Sequence, residues 1–109
     1  MPKTIISELA PEIKVASSFF SRLKGFLGTV PKKGDALLLV PCRQIHTFFM
    51  KAPIDVYYLN RQGRVVKFFP NVKPWRILPY FPETYMVLEL GAGTLPQFTE
   101  GEIILEWKE

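Results

Sequence analysis

The only cysteine and the only histidine of the chain stand four residues apart, in Cys42-Arg43-Gln44-Ile45-His46. A thiol and an imidazole are the two side chains best suited to bind zinc or to work as nucleophile and base. On a helix such a pair converges, but on a strand it spans roughly 13 Å at about 3.3 Å per residue. Zinc would also have to recruit carboxylates, since no other His or Cys is present. The alternative is a buried thiol beside a hydrogen-bonded histidine, and no metal or cofactor is expected.

Asp55 and Glu89 lie inside strongly apolar segments, Ile54 to Leu59 and Tyr85 to Leu90. Burying a carboxylate there is costly unless it is paired. The two could act as acid and base if they flanked one cleft, as in glycoside hydrolysis. They could equally be structural, satisfied by Arg22, Lys51, Arg76 or backbone N–H groups. A third concentration of recognition chemistry is Val72-Lys73-Pro74-Trp75-Arg76-Ile77-Leu78-Pro79-Tyr80-Phe81-Pro82. It is too rich in proline for a central strand and reads as a rigid loop. Trp75 offers a broad apolar face and Arg76 a planar fork of donors, the pairing favoured at binding hot spots. The same Trp75 could instead close one end of a barrel while Arg76 pairs with Glu89.

These residues must be positioned by a small amount of chain. With 109 residues, 48% of them hydrophobic and 14% aromatic, the sequence supports one core and a single domain over 1–109. Strand signals dominate. Ile54 to Leu59 and Arg64 to Phe69 flank Asn60-Arg61-Gln62-Gly63, whose opening asparagine and closing glycine are hairpin chemistry. Ile13 to Ala16, Ala36 to Val40, Gln44 to Met50, Tyr85 to Leu90 and Glu102 to Trp107 are further strands, with Thr4 to Leu9 a weaker one. The one helix expected runs from Ser17 to Gly28, with an apolar stripe of Phe19, Leu23 and Phe26 and a C-terminal glycine. The expected fold is mainly β: a compact β-sandwich or partly open β-barrel of about seven short strands with one short helix.

No apolar run approaches the roughly 20 residues of a membrane-spanning helix. The amino terminus lacks the apolar core of a secretory signal, so a cytoplasmic location is expected. Residues 14–76 carry twelve Lys or Arg against Asp35 and Asp55, whereas residues 77–109 carry Lys108 against six Glu. Such an asymmetry suits an anionic partner, or else the two segments neutralise each other in space. No RNP, KH, zinc-finger, phosphate-loop or dinucleotide signature is found, so nucleic acid is not the expected partner.

The sequence resembles the family called domain of unknown function 192. The matching pieces are Ser21 to Gly28, Cys42 to Asp55 with its Ile-His-Thr-Phe-Phe-Met-Lys-Ala-Pro-Ile-Asp, Gly63-Arg64-Val65, Pro74-Trp75-Arg76, and Val87-Leu88-Glu89-Leu90-Gly91-Ala92-Gly93. The resemblance implies a compact β domain and brings no catalytic set. It also implies, for chains with this Ile-His-Thr-Phe-Phe-Met variant, association with pilus or secretion systems. The expected function is a binding or accessory module for a small anionic or sugar-like ligand or a protein, through His46, Lys51, Asp55, Trp75, Arg76, Glu89 and Arg22. The alternatives are a hydrolase-like enzyme using His46 with Cys42, or Asp55 with Glu89, and a purely structural part of a larger assembly.

Overall fold

A computed structural model describes residues 2–4, 13–16, 28 and 30–107. Among the described residues seven strands follow in order: β1 (Pro2–Thr4), β2 (Ile13–Ala16), β3 (Ala36–Leu39), β4 (Ile54–Leu59), β5 (Val65–Val72), β6 (Met86–Gly91) and β7 (Leu105–Trp107). The protein is mainly β, as its strand-and-turn pattern requires. Strands β2, β3, β6, β4 and β5, in that order, form an open sheet, while β1 pairs with β7. Only the β2–β3 pairing in the large sheet is parallel. Apart from Gly28, which has a left-handed φ of 73°, the expected helix lies outside the described residues. So does most of the Thr4 to Leu9 candidate.

Every residue of β3, β4 and β6 is buried. Strands that are apolar on both faces need cover on both sides. One face carries Leu38, Tyr57, Leu59, Leu88 and Leu90 and is covered by the C-terminal stretch through Leu95, Ile104 and Leu105. The other carries Val56, Tyr58 and Val87 and is covered by Ile45, Met50 and Leu78. The second cover comes from irregular segments rather than strands. Gln44 to Met50 is accordingly not a strand: it makes one antiparallel bridge, His46 to Ile77, and then turns.

Consecutive tyrosines of β4 tie both covers to the sheet. Tyr57 donates to the Pro96 carbonyl at 3.2 Å and stacks on Phe68 at 4.2 Å. Tyr58, pointing the opposite way, donates to the Pro79 carbonyl at 2.8 Å. The β4–β5 hairpin closes as its sequence requires: Asn60 Oδ1 accepts from the amides of Gln62 and Arg64. Gly63 has φ 79°, and a Cβ there would sit 1.8 Å from the Leu105 carbonyl oxygen, so only glycine fits. Glu100 of the acidic C-terminal segment meets Lys67 of β5 at 3.5 Å.

Burial pushes the Tyr58 hydroxyl up to about 12, opposed by the Ile45 backbone and reinforced by Cys42 and Glu89 nearby. Burial also raises Tyr57. Because the folded state holds these protons more tightly than the unfolded chain, their contribution is complete below about pH 10, the unfolded tyrosine value. It is lost as pH rises from there toward the folded value. Urea unfolding followed across this window should show a falling midpoint, and Tyr58→Phe should flatten the fall. An undiminished fall in that variant would contradict the assignment.

Candidate functional site

The chemistry-bearing residues gather where Ile45–Thr47 runs antiparallel to Arg76–Leu78. Leu78 N–H donates to Ile45 O at 3.0 Å and Thr47 N–H to Arg76 O at 2.8 Å. Thr47 is fully buried and pins the two segments. Its hydroxyl donates to the Lys73 carbonyl at 2.7 Å and accepts from the Arg76 amide at 2.9 Å. Its carbonyl accepts from Trp75 N–H at 3.0 Å and from Met50 N–H at 3.3 Å. Gln44 Nε2 adds a bond to the Leu78 carbonyl at 2.8 Å.

This pinning holds two aromatic residues in an unfavourable conformation. Phe49 has φ 64° and Trp75 φ 67°, left-handed values that cost bulky side chains about 1–3 kcal/mol each. Neither recovers that cost by full burial: Phe49 is 63% exposed and Trp75 56%. Their rings meet edge to face at 4.7 Å, and Phe48 lies 5.6 Å from Trp75 on one side and 4.8 Å from His46 on the other. Beside them a groove of about 250 Å³ is lined by Gln44, Ile45, His46, Phe48 and Ile77. Ile77 is 67% exposed. His46 Nδ1 accepts from Phe48 N–H at 3.2 Å, so its neutral form carries the proton on Nε2. Lys51, Lys73 and Arg76 are exposed around this aromatic ridge.

Of the residues singled out in the sequence, the ridge brings together His46, Trp75 and Arg76, with Lys51 following Met50 in the same loop. Asp55 is elsewhere. Its oxygens accept from the amides of Asn71, at 2.8 Å, and Gly93, at 3.0 Å. Asp55 sits where the β4–β5 register shifts, opposite Pro70 and Asn71, and its bond to Asn71 satisfies backbone at that bulge. In the β4–β6 register Asp55 faces Leu90, while Glu89 faces Val56. Leu90 and Val56 belong to the cores on opposite faces. The sheet therefore separates the two carboxylates, whereas paired acid and base work requires one cleft. Glu89 is buried beneath the ridge side, 2% exposed. Cys42 is half-buried with its thiol 3.4 Å from the Gln44 carbonyl. Among the described residues, no three of His, Cys, Asp and Glu converge as metal ligands would. Arg22 lies outside the described residues. A shallow hollow of about 370 Å³ on another part of the surface is lined by Lys67, Phe68, Phe98, Thr99 and Glu100, none of them sequence candidates.

Sequence reasoning missed Thr47, Phe48, Phe49 and Ile77. A strand over Gln44 to Met50 would send Phe48 and Phe49 to opposite faces. The Phe-Phe pair gave no clear signal, because a strand covered on both faces, like β4 with Tyr57 and Tyr58, buries two consecutive aromatics.

A family model, DUF192, described as an uncharacterized ACR, matches residues 3–102. The chain belongs to this family. Among DUF192 relatives, a UPF0127 protein of Pyrococcus horikoshii is 37% identical over 76 residues, covering 66% of this chain and 64% of that protein. One of Thermococcus kodakarensis is 31% identical over 101 residues, covering 85% of this chain and 63% of that protein. The chain thus spans less than two thirds of the length of either relative. A crystal structure of a protein of unknown function from Novosphingobium aromaticivorans superposes with a TM-score of 0.72 at 20% identity, over 87% of this chain and 74% of that one. At that identity the likeness is one of fold, and it places this DUF192 domain among solved β structures. Among the described residues, no helix is long and apolar enough to cross a membrane.

Thr47→Val keeps the volume but leaves the Lys73 carbonyl and Arg76 amide without their buried partner, a cost of about 1–3 kcal/mol. Urea unfolding should report this loss, and the Trp75 indole should show altered fluorescence in the folded variant. Thr47→Ser should behave like the parent. A valine variant of full stability and unchanged emission would contradict the pinning role.

Proposed function

We propose that this DUF192 domain is a protein-binding module that docks through the ridge formed by Phe48, Phe49, Trp75 and Ile77. The observation that carries the reading is the pair of exposed aromatics held in left-handed backbone. Strain of this kind persists where the surrounding structure over-determines it, and it clusters at binding and catalytic sites. A ring that merely filled the core would be buried; these two are displayed.

Size and chemistry favour a protein over a small molecule. The adjoining groove, about 250 Å³, is below the roughly 300–1,000 Å³ usual for small-ligand pockets and suits a single partner side chain. Ile77 offers neither a hydrogen bond nor a stacking face, so its display serves apolar contact. Trp75, wedged between Phe48 and Phe49, forms a knob rather than an open stacking platform. Aromatic anchors of this type dominate protein interfaces.

Phe49→Gly and Trp75→Gly relieve the left-handed strain while forfeiting an edge contact worth about 0.5–1.5 kcal/mol. Each variant should keep its stability within about 1 kcal/mol of the parent, unlike truncation of a core aromatic at about 3–5 kcal/mol. The double variant should fold and lose a partner that the parent retains in affinity capture. A stability loss on the core scale, or an unchanged set of captured proteins, would count against docking through the ridge.

A further inference from the structure

Resting on the docking reading, we infer that the ridge recognises an acidic protein segment carrying bulky apolar side chains. The juxtaposition of an apolar knob with cations, on a stretch from Ala36 to Pro82 whose one acid is Asp55, is what selects that partner. Lys51, Lys73 and Arg76 are exposed around Phe49, Trp75 and Ile77, and Arg43 is exposed on the segment that leads into the groove. From Ala36 to Pro82 the chain contains one acid, Asp55. Both of its oxygens are engaged by backbone amides, and its side chain projects from the other face of the sheet. Glu89 is buried, and Glu83 stands beyond Pro82 at the end of the loop.

An approaching segment therefore meets apolar surface at the centre and positive charge at the rim, the arrangement in which complementary charge sets register and speeds encounter. A basic segment would bring like charges together, which is costly at a desolvating interface. A neutral saccharide would find few acceptors, because the Thr47 and Ile45 carbonyls and the Thr47 hydroxyl are taken up within the ribbon. Single-stranded nucleic acid shares the preference for aromatics and cations, but it stacks on open ring faces. The edge-to-face Phe49–Trp75 pair and the aliphatic Ile77 are a poorer match to bases than to leucine or phenylalanine side chains.

The test is a random peptide library displayed on phage and panned on the full chain, with the Phe49→Gly/Trp75→Gly variant as counter-selection. Selected peptides should combine Asp or Glu with Leu, Ile, Phe or Trp. A synthetic copy of one should bind more weakly as salt is raised, and Lys51→Glu or Arg76→Glu should weaken it by about tenfold. Neutral or basic winners, or an affinity indifferent to salt and to both charge reversals, would overturn the acidic partner while leaving docking intact. Oligo(dT) binding that competes with the peptide would replace it with nucleic acid. No enrichment over the counter-selection would remove the docking reading itself, and the inference with it.

Discussion

The hydroxyl and backbone of Thr47 hold the aromatic ridge together. Two segments separated by more than twenty residues, and by the β4–β5 hairpin, cross at this one buried side chain. A hydroxyl can donate once and accept once in such a position, and Thr47 does both. Its carbonyl meanwhile serves two amides, one from each segment. With those bonds made, the chain on either side has little freedom, and Phe49 and Trp75 are left in backbone conformations that large side chains normally avoid. The cost is local; what stabilises it is distributed through the ribbon and the core below.

That core is organised so that one face of the sheet can carry the ridge. Tyr57 and Tyr58, neighbours on β4, anchor opposite covers, and Asp55 stabilises the β4–β5 bulge shortly before Lys73. Asp55 thus holds backbone on the opposite face of the sheet from the ridge. Its burial is satisfied by two backbone amides, as buried polar groups in folded proteins generally are.

The strands were legible because their signals are local. Ile54 to Leu59 alternates between two cores and is buried throughout, and Asn60 to Gly63 carries turn chemistry that leaves little choice. The irregular, non-strand course of the segment carrying Trp75 and Arg76 was legible from the prolines around them. Thr47 was not, since a threonine beside two phenylalanines in an apolar run is what a strand also looks like. Its role depends on Lys73, Trp75 and Arg76 arriving from far along the chain. Nor does any residue-level pattern announce a phenylalanine or tryptophan at positive φ, a conformation imposed by tertiary hydrogen bonds. The separation of Asp55 from Glu89 likewise rests on strand register: a slip of one residue would have placed them on the same face.

The ridge depends on left-handed backbone at Phe49 and Trp75 in solution. NMR of the folded chain measures it through the intraresidue amide-to-Hα nuclear Overhauser effect, which is strong at positive φ and weak in extended backbone. Strong effects at both residues, together with ring-to-ring contacts between Phe49 and Trp75, are the predicted result. Extended-type intensities at the two positions, or rings without mutual contacts, would contradict it.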